Sequence, residues 1–88
     1  MMEDWERDIA AAWKEGVILR DNGTRHDSPE WARRERFAVA LSEKWTPGCL
    51  ASRAILRAYI LGVMGCEWHV VPALREGVNA GSIDGVIA

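Results

Sequence analysis

Apolar residues recur at intervals of three and four through most of the chain, and clusters of turn-forming residues separate the stretches that carry them. Trp5, Ile9, Ala12 and Trp13 mark one stripe of a helix over residues 2–15, with Gly16 as its C-terminal stop. Glu3 and Arg7, four apart, make a surface pair on it. Residues 17–27 stay open. Val17-Ile18-Leu19 is a short branched run and Asn22-Gly23 is a turn signal, but Thr24 to Asp27 is too polar for a returning strand. The segment reads as a helix extension or one short strand, followed by a surface loop.

Ser28-Pro29-Glu30 supplies an N-cap hydroxyl, a proline at the first helical position and an acid in the first turn. The helix it opens runs to Lys44 or Trp45. Trp31, Phe37, Ala38, Leu41 and Trp45 form its inner face, with Arg33, Arg36, Glu43 and Lys44 in water and Glu30 paired to Arg34. Thr46-Pro47 repeats the opening signal. In the helix that follows, Leu50, Ala51, Ala54, Ile55, Ala58, Tyr59, Leu61 and Met64 cover more than half the circumference. Ser52, Arg53 and Arg57 keep a polar stripe, and Gly65 closes the helix. A helix this apolar belongs at the centre. Cys66 to Val71 reads as a short strand or a first helical turn. Pro72 opens a short helix to Asn79, stopped by Gly81, and 82–88 add a turn or an extended arm. The pattern predicts an all-α fold: one helical domain over 1–88, with three main helices and a short C-terminal one, the first two clasping the third.

Composition narrows the function classes. The chain has 88 residues, 49% hydrophobic and 27% charged, with a net charge of -2. That length allows one domain with a thin core. The mixture is too apolar for disorder. The longest apolar run, around Ala58 to Gly65, falls far short of the roughly 20 residues that span a bilayer. A pI near 5.6 argues against a general nucleic-acid binder, whose affinity rests on neutralising phosphates. The acidic start lacks the apolar core of a signal peptide, so the expected compartment is the cytoplasm, with Cys49 and Cys66 as free thiols.

Candidate chemistry is sparse. Cys66-x-x-His69 has a zinc-like spacing, but a structural zinc site wants a second close pair, and Cys49 and His26 are distant in sequence. Cys49 near a helix start has the position of an activated thiol without a visible base. No phosphate-binding, dinucleotide-binding or hydrolase motif occurs, and no cofactor is implied. Residues Arg57 to Gly77 allow a helix-turn-helix reading, but Glu67 and Glu76 would repel phosphates. A small dimeric DNA-binding regulator and a thiol or metal protein therefore stand as alternatives.

The five tryptophans and nine arginines are the residue types most enriched at binding hot spots. Trp13, Trp31 and Trp45 fall on inner faces. Trp5 and Trp68 are the candidates for exposure. The leading expectation is a non-catalytic protein-binding module. Its docking residues are Arg33, Arg34 and Arg36, the aromatics Trp5 and Trp68, and the acids Glu3, Asp4 and Asp8 of the first helix. In size and acidity the chain is similar to phage and mobile-element accessory proteins that inhibit host complexes, anti-CRISPR proteins among them, although no motif carries the likeness. A homodimer through the exposed side of the third helix is a further expectation, since a thin core gains from a symmetric helix interface.

Overall fold

The computed structural model describes residues 3–86. Four helices make up the fold: α1 (Asp4–Asp21), α2 (Pro29–Ser42), α3 (Leu50–Val63) and α4 (Val70–Ala80). No described residue forms a strand, so the all-α expectation of three longer helices and a short fourth holds. No described helix is long and apolar enough to cross a membrane.

α1 runs through Gly16, which is buried mid-helix rather than at the end. The stop lies seven residues later, at the Asn-Gly turn signal. Gly23 has φ 61°, its N–H donates to the Arg20 carbonyl, and the Thr24 N–H donates to the Leu19 carbonyl. This pair of bonds satisfies the last carbonyls of the helix and needs a left-handed residue, which glycine supplies without a Cβ clash. Gly16 has a different task. It faces Gly62 at the crossing of α1 and α3, and a Cβ placed on it would sit 2.3 Å from the Tyr59 carbonyl oxygen. A Cβ on Gly62 would sit 2.3 Å from the Trp13 carbonyl oxygen. The two backbones therefore touch directly, and α1 against α3 is the most extensive interface in the fold. At the start of α1, Arg7 pairs with Asp4 at 2.6 Å rather than with Glu3. Glu3 precedes the helix as its cap, with its N–H donated to the Glu6 carboxylate.

α2 begins as its punctuation predicts: Ser28 Oγ accepts the Trp31 N–H at 3.2 Å and Pro29 is the first helical residue. Glu30 pairs with Arg34 at 2.8 Å. The helix ends at Ser42, short of Lys44. Its buried line is narrow and runs through Ala38 and Ser42, with Trp31 and Leu41 half-buried beside it. Phe37 lies about 100° of helix rotation away from Ala38 and is 49% exposed, so it leaves the expected inner face.

α3 touches each of the other three helices, and so does α1, so the centre of the fold is the α1–α3 pair and not α3 alone. α3 does not start at Thr46-Pro47. Those residues form a turn in which the Cys49 N–H donates to the Thr46 carbonyl, and Cys49 caps the helix with Sγ facing the Ser52 N–H. Ser52, expected on the polar stripe, is buried, while Met64, expected on the apolar face, lies beyond the last turn and is exposed. Gly65 closes the helix at φ 88°, as expected.

Cys66 to His69 is a turn, and the Val70 and Val71 N–H groups bond back to Glu67 and Trp68. α4 starts two residues before Pro72 and stops at left-handed Gly81. Val70, Val71 and Leu74 enter the same core cluster as Ile9, Leu19, Ile55 and Tyr59. The chain then folds back, placing Ile83 in the core against Gly77, and the Val86 carbonyl accepts from Arg57 at 3.0 Å.

Candidate functional site

The α1–α3 crossing brings the turn after α3 beside the C-terminal half of α1. Because Gly16 and Gly62 let the backbones meet, Trp13 comes within reach of that turn, and its indole N–H donates to the Cys66 carbonyl at 3.0 Å. The Trp13 and Trp68 rings then meet edge-on, with centroids 5.4 Å apart. The Arg75 guanidinium of α4 lies 5.7 Å from the Trp68 ring centroid. Arg75 is itself anchored, donating to the Glu6 carbonyl at 3.2 and 3.1 Å. Trp68 is thus held by one ring and one cation, yet remains 50% exposed. Edge-to-face rings and cation–π contacts are each worth roughly 0.5–1.5 kcal/mol, which holds an exposed indole in one orientation.

Beside this ring lies a half-open groove of about 240 Å³. Trp13, Val17 and Trp68 supply its apolar walls, while Gly62 and Gly65 keep it free of side chains. Arg20, Asp21 and Glu67 supply its charges. The Arg20 guanidinium lies against Gly65: a Cβ there would be 2.5 Å from Arg20 Cζ. Arg20 also occupies the last turn of α1, where its charge complements the helix dipole.

The other expected docking residues fall elsewhere. Arg33 and Arg36 lie exposed on α2, Arg33 paired with Glu30. Arg34 is drawn inward instead, bonded to Glu15 and Glu30 at 2.8 Å each. Hydrogen bonding to Glu30, together with the Glu15 charge, pushes its guanidinium further up from its ordinary pKa. α2 and α4 share no close backbone contact among the described residues, and the ring and cation contacts of Trp68 are with Trp13 and Arg75. Trp5 is half-buried against the core. Glu3 and Asp4 are exposed at the start of α1. Asp8 is buried: it accepts the Trp45 indole N–H at 3.2 Å and faces Lys44 Nζ at 3.2 Å. Its carboxylate joins α1 to the chain end of α2 and has no accessible face to offer.

Among the described residues no three His, Cys, Asp or Glu side chains come together as a metal site. Cys49 and Cys66 are both unbridged and half-buried. Trp13, Arg20 and Arg75 are the site residues that periodicity alone passes over. Trp13 reads as core, Arg20 falls in the unassigned 17–27 stretch, and Arg75 lies in the short C-terminal helix with nothing in its spacing to link it to Trp68. The usable signal was the pair Gly16 and Gly62, both inside helices, five residues before the end of α1 and one before the end of α3, where small residues permit a close crossing. Comparison with known protein families, with curated proteins and with solved structures finds no match to this chain.

Proposed function

We propose that this chain is a non-catalytic protein-binding module whose anchor is Trp68. The observation that carries the reading is the half-exposed indole, braced by Trp13 and Arg75 beside an open groove. An exposed tryptophan is expensive in water, and one fixed in advance loses little side-chain entropy on binding. Arg33 and Arg36, exposed on α2, offer a second area for a partner large enough to reach them as well. The module acts by occupying a surface of its partner, the mode expected of a small inhibitor.

The test is a comparison of Trp68→Ala with the unaltered chain as immobilised baits, using extract of the source cells and quantitative mass spectrometry. Trp68 is absent from the buried core, so the variant keeps its helical circular dichroism. A hot-spot residue costs about 2 kcal/mol or more, roughly a thirtyfold loss of affinity. Specific partners should therefore disappear from the Trp68→Ala bait. Equal capture by the two baits removes Trp68 as the anchor. Retention on duplex DNA at low salt would favour the nucleic-acid alternative instead.

A further inference from the structure

The groove beside Trp68 has a chemical selectivity of its own. At about 240 Å³ it is smaller than the roughly 300–1,000 Å³ of pockets that enclose a drug-sized ligand or cofactor. It is also half-open, so what enters can continue into solvent. Its apolar walls, Trp13, Val17 and Trp68, suit one aliphatic or aromatic side chain. The Arg20 guanidinium lies against Gly65 at the edge of this space and makes no hydrogen bond or ion pair within the described residues. A guanidinium presents five donors in a planar fork that matches a carboxylate. Asp21 and Glu67 flank the same space and are likewise without ion pairs among the described residues. They offset part of the attraction of Arg20 for the first carboxylate, so that group must contact the guanidinium directly; they oppose a second negative charge and favour a basic neighbour. The complement is an apolar side chain with a single carboxylate close to it, on a chain that leaves through the opening.

We propose that the groove captures the C-terminal residue of a partner polypeptide, its apolar side chain against Trp13, Val17 and Trp68 and its terminal carboxylate on Arg20. This deepens the protein-binding reading above and rests on it. Binding the α-carboxylate is what separates a chain end from an internal apolar residue. The rim acids make a lysine or arginine just before the last residue better than a glutamate.

The probe is a hexapeptide, Gly-Ser-Gly-Ser-Lys-Leu, with a free C-terminus, titrated against the ¹⁵N-labelled chain while the Trp13 and Trp68 indole N–H signals are followed. Saturable shifts of both signals are expected. Amidating the C-terminus should weaken binding at least tenfold, and Arg20→Gln should bring the free-acid peptide down to the level of the amide. Replacing the penultimate lysine with glutamate should weaken it further, by a factor that shrinks as salt is added. The inference is overturned if acid and amide bind alike, if neither indole signal moves, or if N-acetyl-leucine binds as tightly as the peptide. The last result would make the groove a site for small apolar acids. Partner capture separates the two readings. If Trp68→Ala abolishes capture while acid and amide peptides bind alike, the docking role of Trp68 stands and the carboxylate role of Arg20 falls.

Discussion

Gly16→Ala is the substitution that best separates a glycine used for its backbone freedom from one used for its size. Gly16 is helical, so alanine suits its conformation and improves helix propensity by about 0.8–1.0 kcal/mol. Against this stands the crossing. The new Cβ would meet the Tyr59 carbonyl oxygen at 2.3 Å and the Val63 amide nitrogen at 2.7 Å. Both are backbone atoms of α3, so no side chain can rotate away. Ordinary contact begins near 3.4 Å, and α1 and α3 must therefore separate by about 1.1 Å at their most extensive interface. Overpacking of this kind costs typically 1–3 kcal/mol, and the rigidity of the obstructing atoms puts it at the upper end. After the propensity gain, a net loss of about 1–2 kcal/mol remains. For a chain of this length that lowers Tm by roughly 5–15 °C. The assay is urea unfolding followed by tryptophan fluorescence, with Gly85→Ala as the control, because a Cβ at Gly85 meets nothing within 4 Å. The control should fall within about 0.5 kcal/mol of the parent or slightly above it. Gly62→Ala should resemble Gly16→Ala. The double variant should cost less than the two single losses together, since the first Cβ already forces the helices apart. A Gly16→Ala midpoint equal to or above that of the parent would refute the close crossing.

Other perturbations test single contacts. Asp8→Ala strands the Trp45 indole N–H and should cost about 1–3 kcal/mol in thermal melts, whereas Asp4→Ala, which breaks only the exposed pair with Arg7, should cost under about 1 kcal/mol. Ser28→Ala removes the N-cap of α2 and should lower stability by about 0.5–2 kcal/mol; an unchanged melt would show that α2 does not need its cap. Tyr59 is the sole tyrosine, and its buried hydroxyl has no hydrogen-bond partner within the described residues, so Tyr59→Phe should leave stability at neutral pH nearly unaltered. Burial, with the nearby Glu35 and Glu15 charges, pushes the Tyr59 hydroxyl up from 10.0 to about 12. The native state therefore holds this proton more tightly than the unfolded chain. Its contribution is complete below pH 10 and is lost as pH rises from 10 through about 12. Over that range the parent should lose stability faster than Tyr59→Phe, and tyrosinate absorbance of the folded parent should appear late. Parallel losses in the two proteins would count against the shift.

Local signals in the chain were enough for the helical class and for about half of the helix ends. Ser28-Pro29 opens α2 and Gly65 ends α3 because caps and left-handed glycines act through atoms a few residues apart. The apolar excess of the third helix was enough to show that it is covered on several sides, but not that α1 shares the centre with it. Signals that serve two purposes were not enough. Glycine ends a helix or permits a crossing, and only the α3 backbone at 2.3 Å shows that Gly16 does the second. Thr46-Pro47 has the composition of a helix start but forms a turn, because Cys49 three residues on takes the cap. Phe37 and Met64 look inward by periodicity, yet the buried arc of α2 is too narrow for the first, and α3 ends before the second. The candidate site divides in the same way. Trp68 was legible as exposed, being a large ring in a polar segment. Its brace by Trp13 and Arg75, the charge of Arg20 in the groove, and the withdrawal of Asp8 to Trp45 involve residues 7 to 55 positions apart in the chain. Periodicity places a side chain on a face of its own helix. What that face meets depends on how closely two helices approach, and here that distance is set by the contact of Gly16 with Gly62.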